Sequence, residues 1–150
     1  MLYPDFRDML SVLHAENVEF LLVGSYAVAA HGRARATEDI DIWVRPTVSN
    51  SQNVMNALLR FGAPTESLSA KDFQGNDLVF QMGIPPWRID ILTSIDGVTF
   101  EEAWADRQEW TVEGLVVPVL GRRHLIANKK AVGRAKDLAD VATLEAQPGE

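Results

Sequence analysis

Two carboxylates stand two residues apart in Asp39-Ile40-Asp41, at the start of a run through Val44 that alternates like a β-strand. Successive strand side chains point to opposite faces, so Asp39 and Asp41 share one face while Ile40 and Ile42 turn into the core. Upstream, the apolar run Phe20 to Val23 is broken by Gly24-Ser25, a turn into an alanine-rich helix. Gly24 permits close backbone approach, and Ser25 with the helix N-terminus offers a hydroxyl, amide N–H groups and a positive dipole end to a phosphate. A third acid, Asp90, is embedded in Arg88-Ile89-Asp90-Ile91-Leu92. An aspartate in so apolar a strand is costly unless it is paired or holds a metal. Three oxygen donors beside a phosphate cradle suit Mg²⁺, or Mn²⁺, and the chemistry of phosphoryl or nucleotidyl transfer. Asp39, Asp41 and Asp90 are therefore the expected metal-binding and catalytic residues. An isolated Asp-x-Asp is ordinarily a pair of solvated acids; the conjunction with Gly24-Ser25 and Asp90 carries the reading.

Positioning those groups requires a strand, a turn and a helix from Phe20 to Gly32, a loop, and a second strand over Ile40 to Val44. Around them the pattern predicts a helix over Pro4 to Glu16, with Phe6, Met9, Leu10 and Leu13 inward. A helix capped by Ser49 or Asn50 should run to Arg60, with Gly62 after it. Ala63 to Asn76 reads as a loop with a short helix. Strands follow over Leu78 to Met82 and Trp87 to Thr93, the latter entered through Gly83-Ile84-Pro85-Pro86. A short helix over Thr99 to Arg107 and a hairpin around Glu113-Gly114 come next, and two helices meeting near Gly133 close the chain. The expectation is one domain over residues 1–150, of α/β (α+β) class, with a small mixed sheet flanked by helices and a C-terminal helical pair. Trp43, Trp87, Trp104 and Trp110 read as core rather than as stacking platforms.

Composition narrows the partners. The chain has 150 residues, no cysteine and a formal net charge of −7, which excludes disulfides and thiolate metal sites and argues against unselective binding to nucleic acid. No basic, apolar leader opens it, and no apolar stretch is long enough to span a bilayer, so a cytoplasmic protein is expected. Charge is uneven: Leu115 to Lys136 holds six of the fourteen lysines and arginines and no acid. Such a patch suits a confined anion, unless it is only a solvated helix face. Within it Lys129 lies toward the core side at i+4 from Leu125 and i+3 from Ile126, with Val132 also taken as buried, and so needs an anionic partner. A triphosphate is the expected partner; Asp137 or Asp140 is the alternative. Arg33 and Arg35, beside the aspartates, are candidates for phosphate contact or for a carboxylate salt bridge.

Val23-Gly24-Ser25-Tyr26-Ala27, His31-Gly32, Arg35-Ala36-Thr37 and Asp39-Ile40-Asp41 together resemble the signature of small nucleotidyltransferases of the DNA polymerase β superfamily. The closest likeness is to stand-alone bacterial members, including those related to abortive-infection nucleotidyltransferase toxins. Gly83 to Leu92, and Lys129-Lys130 through Asp137 and Asp140, look like the second half of the same family. The resemblance implies a nucleotidyltransferase fold and metal at Asp39 and Asp41. It implies that Asp90 binds metal or activates the acceptor hydroxyl, and that Gly24, Ser25, Arg35 and Lys129 contact the nucleotide. It further implies transfer of a nucleoside monophosphate from an NTP to a hydroxyl, with the acceptor open among a protein side chain, an RNA end and a small molecule, and a cognate antitoxin or toxin as a possible partner. The alternative is a non-catalytic module of the same fold that binds nucleotide or a protein.

Overall fold

The structure, a computed structural model, describes residues 2–32, 37–75 and 77–146. Strand β1 (Phe20–Val23) is buried along its whole length and forms the middle of a six-stranded mixed sheet. With β2 (Asp39–Val44), β3 (Val79–Met82), β4 (Arg88–Leu92), β5 (Gln108–Val112) and β6 (Leu115–Val119), the order is β3-β4-β2-β1-β6-β5. β1 runs antiparallel to β2 and parallel to β6, while β2 and β4 are parallel. The outer pairs, β3 with β4 and β5 with β6, are antiparallel. Helices on the sheet explain why the central strands read as nearly continuous apolar runs.

Each helix ends where the sequence supplies a reason. Helix α1 (Pro4–Ala15) begins with proline in its first turn and buries Phe6, Met9, Leu10 and Leu13. Helix α2 (Gly24–Ala30) follows β1 without an intervening loop and lies against β1 and β2. Helix α3 (Val48–Phe61) is capped by Thr47, whose hydroxyl accepts from the Asn50 N–H, rather than by the expected Ser49 or Asn50. Asn50 is instead buried, joining the Glu19 backbone to the Arg45 carbonyl. A short 3₁₀ turn, Ala70–Gln74, sits in the expected loop and seats Phe73 in the core. Helix α4 (Phe100–Ala105) carries a full Thr99/Glu102 capping box. Helices α5 (Arg122–Val132) and α6 (Ala135–Ala146) pack on each other, with Gly133 ending α5. Val132, expected on the buried side, is exposed at that turn.

The strand face that carries Asp39 and Asp41 turns apolar one step further on. Trp43 is buried there against Phe100, ring centroids 4.9 Å apart. Trp87 is half-buried and stacks on Tyr3 at 4.3 Å, which pins the entry to β4 against the N-terminal helix. Among the described residues no helix is long and apolar enough to cross a membrane.

Candidate active site

The parallel register of β2 and β4 sets Asp41 opposite Asp90 and Asp39 opposite Arg88. Paired residues point to the same side of a sheet, so the four side chains form a compact square on one face. Asp39 is half-exposed and Asp90 is buried. Arg88 reaches both, its Nη2 3.5 Å from Asp39 Oδ2 and its Nε 3.4 Å from Asp90 Oδ1. Asp90 Oδ1 nonetheless has no hydrogen-bond partner.

Electrostatics single out Asp41. Burial, then a hydrogen bond to Asp90 and the negative charges of Asp90 and Asp39, push its carboxyl up to about 7, while Arg88 opposes the shift. Like charges crowded in a partly dry site resist ionisation unless a cation joins them. Gly24 is what admits this crowding: its φ is +64°, and a Cβ there would overlap Asp41 Oδ2. Gly24→Ala should cost about 1–2 kcal/mol for the left-handed backbone alone. It should also displace Asp41, so that Mn²⁺ titration shows weakened binding alongside a lowered melting temperature. Unchanged Mn²⁺ binding would separate Gly24 from the site.

Ser25 lies within the first turn of α2, half-buried, one residue from Gly24; the helix is preceded by Val23 and has no side-chain cap bond. Ser25 is therefore not spent as a cap, the alternative use for a serine here. Arg35 lies outside the described residues. His31 follows the end of α2, its Nε2 2.8 Å from the Leu120 carbonyl oxygen, as expected of a residue closing a helix.

Lys129 lies on α5, outside the β2–β4 pair that carries the carboxylates. It is buried, its ammonium 3.0 Å from Asp140 Oδ2 and 3.4 Å from Asp137 Oδ1, the carboxylates named as its alternative partners. The wider basic patch dissolves in the same way. Arg123 pairs with Asp106, Lys130 with Glu145 and Arg134 with Asp137, and Arg122 donates to the Leu144 carbonyl. Acids from elsewhere in the chain answer a stretch that has none of its own. Arg134 still lies within electrostatic range of Asp41, which places the α5–α6 turn on the side of the site.

Arg88 is the residue that motif reading passed over. Its signal was available: two positions before Asp90 on one strand, it must share that strand face. Beside it opens a cavity of about 250 Å³, lined by the largely apolar Met82, Pro85, Pro86 and Trp87 together with Asp39, Gln81 and Arg88. Among the described residues no three acidic or histidine side chains converge tightly enough to hold an ion as they stand. The donor set nevertheless fits a hard divalent cation: oxygen ligands only, one of them a buried oxygen lacking a partner, and mutual repulsion for a cation to relieve.

No family profile and no curated protein sequence matches the chain. Solved structures do. The lincosamide antibiotic adenylyltransferase LnuA, lincomycin-bound, superposes with a TM-score of 0.58 at 15% identity, over 97% of this chain and 98% of that one. The antibiotic-resistance factor ANT(2'')-Ia gives 0.63 at 17% identity, over 94% of this chain and 80% of its own. An antigenic nucleotidyltransferase-like protein from Paracoccidioides brasiliensis gives 0.55 at 16%, over 97% and 77%. At such identities the likeness speaks for architecture, and nearly the whole chain takes part in it. The six-stranded mixed sheet flanked by helices is that of the nucleotidyltransferase fold.

Proposed function

We propose that this chain transfers a nucleoside monophosphate from an NTP to a hydroxyl acceptor with release of pyrophosphate, using Mg²⁺ or Mn²⁺ held by Asp39, Asp41 and Asp90. The observation that carries the reading is the register of β2 and β4, which brings the three carboxylates together on one face beside the Gly24-Ser25 turn. The bound cation would neutralise charge on the triphosphate and on the oxygens that enter and leave. The chain's own residues supply the rest. The Gly24-Ser25 turn offers backbone N–H groups and a hydroxyl to the phosphates, and the buried Asp90 accepts the proton of the acceptor hydroxyl. The cavity beside Asp39 and Arg88 gives the acceptor room next to the reacting phosphate.

A compact cavity with an apolar wall favours a small molecule or a single side chain over a polyanionic RNA end. The likeness to an antibiotic adenylyltransferase and to an antibiotic-resistance factor supports the same preference. A place in a toxin–antitoxin or defence system, with a cognate protein partner, rests on the family resemblance alone.

The test is mass spectrometry after incubation with each NTP, Mn²⁺, and in turn a metabolite extract, total RNA and the protein itself. A nucleotide-sized mass gain identifies acceptor and base together. Asp90→Ala should keep NTP bound while lowering turnover about 10²–10⁴-fold, the usual contribution of a general base. Failure of the wild type to bind any NTP with Mn²⁺ would sink the proposal.

A further inference from the structure

Of the four side chains on the β2–β4 square, three are carboxylates and one is a cation. Register alone puts Arg88 across from Asp39 and beside Asp90 on its own strand. The way it holds them is informative. An arginine committed to a carboxylate makes parallel N–H···O bonds at about 2.7–2.9 Å. Here one nitrogen approaches each acid, at 3.5 and 3.4 Å, and Asp90 Oδ1 still lacks a hydrogen bond. The guanidinium is thus a loosely held charge, its side chain 49% exposed. Arg88 also lines the cavity formed with Gln81, Met82, Pro86 and Trp87.

We infer that Arg88 is a displaceable counter-ion of the carboxylate site: it balances Asp39 and Asp90 until a divalent cation takes its place, and then turns toward the cavity. The inference rests on the metal-dependent reading of the site given above. Arginine and metal compete for the same oxygens, so the energy of the ion pairs is subtracted from metal affinity. A rigidly forked arginine would shut the site; one that touches each acid once can yield. Displacement frees the guanidinium from the carboxylates, and so for the acceptor, only after the metal has entered, which orders the loading of the two.

Mn²⁺ alone is the probe, titrated calorimetrically into the full chain at about pH 8, with melting temperatures measured in chelator and in saturating Mn²⁺. Arg88→Gln should bind Mn²⁺ roughly 3–10-fold more tightly than the wild type at low ionic strength. That gap should narrow as salt screens the half-exposed charge. In chelator the same variant should melt below the wild type, because its carboxylates have lost their counter-ion, and saturating Mn²⁺ should close the difference. Arg88→Lys, which keeps the charge, should lie close to the wild type in both measurements. If the wild type binds Mn²⁺ and Arg88→Gln binds it equally or more weakly, with the same melting deficit in chelator and in Mn²⁺, Arg88 is structural and the inference falls alone. If neither protein binds Mn²⁺, the metal-dependent reading falls with it. Binding by the variant only would support competition in its strongest form.

Discussion

Asp41→Asn should raise the melting temperature of the protein at about pH 8 in chelator, and should abolish metal-dependent nucleotide binding. The stabilisation follows from the crowding of Asp39, Asp41 and Asp90 behind Gly24. Asp41 has its carboxyl pushed up from 3.8 to about 7, burial being the largest cause and the hydrogen bond and charge of Asp90 the next. A folded-state value above the unfolded one means that ionised Asp41 is penalised in the native protein. The stability of its protonated form is complete below about 3.8 and is lost as pH rises through about 7. At 1.36 kcal/mol per pH unit the ceiling is about 4 kcal/mol. Solvent at the mouth of the site, and the attraction of Arg88, lower the expected gain to about 1–2 kcal/mol, roughly 2–6 °C. Asparagine keeps the shape and can donate to the unpartnered oxygen of Asp90. The wild type in chelator should therefore lose stability between about pH 4 and pH 7, where only the folded form still holds the Asp41 proton, and the variant should lack that loss. Saturating Mn²⁺ should restore the wild type and leave the variant unmoved. A variant that melts lower than the wild type at high pH would show that the carboxylates are not in mutual repulsion. Stability gained at the expense of binding is the signature expected of a strained functional site.

Local patterns carried most of the fold because each element announces itself in a few residues. The periodicity of Phe6, Met9, Leu10 and Leu13, the Thr99/Glu102 box and the Glu113-Gly114 turn each act over a handful of positions. Strand order is not written that way. Nothing within β2 or β4 states that they lie side by side and parallel, since the pairing is made across α3, the 3₁₀ turn and β3. The carboxylate triplet was legible as three acids in strand-like runs, whereas the role of Arg88 needed the register. The basic stretch from Leu115 to Lys136 concealed its ion-pair partners for a related reason. Its acids sit at Asp106, Asp137, Asp140 and Glu145, before and after the window, and only the packing of α5 on α6 and the approach of Asp106 to Arg123 bring them in. Val132 misled more simply: at the last position of α5 an apolar residue can face solvent, whatever the helix face above it does.

Lys129→Ala should destabilise the protein by about 3 kcal/mol, against less than about 0.5 kcal/mol for Lys130→Ala. The contrast lies in burial. Lys129 is 6% exposed and holds Asp137 and Asp140, which are 1% and 9% exposed, whereas Lys130 meets Glu145 in solvent. Removing one member of a buried ionic group leaves the opposite charges dry and uncompensated. Arg134 stays on Asp137 at 2.6 Å, which keeps the loss at the lower end of the usual range. The pH dependence gives an independent check. Hydrogen bonding to Arg134 first, and to Lys129 after it, holds the Asp137 carboxyl below its ordinary value of 3.8. A depressed folded-state value contributes stability above about 3.8 that is lost as pH falls through the folded value, so this network fails only in strong acid. The Lys129→Ala deficit should accordingly be full near neutrality and shrink below about pH 4, as the carboxylates it strands become protonated. Differential scanning calorimetry across that range measures it. NTP affinity well below the melting temperature decides the role: with Asp137 and Asp140 as its partners, Lys129→Ala binds NTP nearly as well as the wild type. A large affinity loss at unchanged melting temperature would mean instead that the ammonium serves the phosphates.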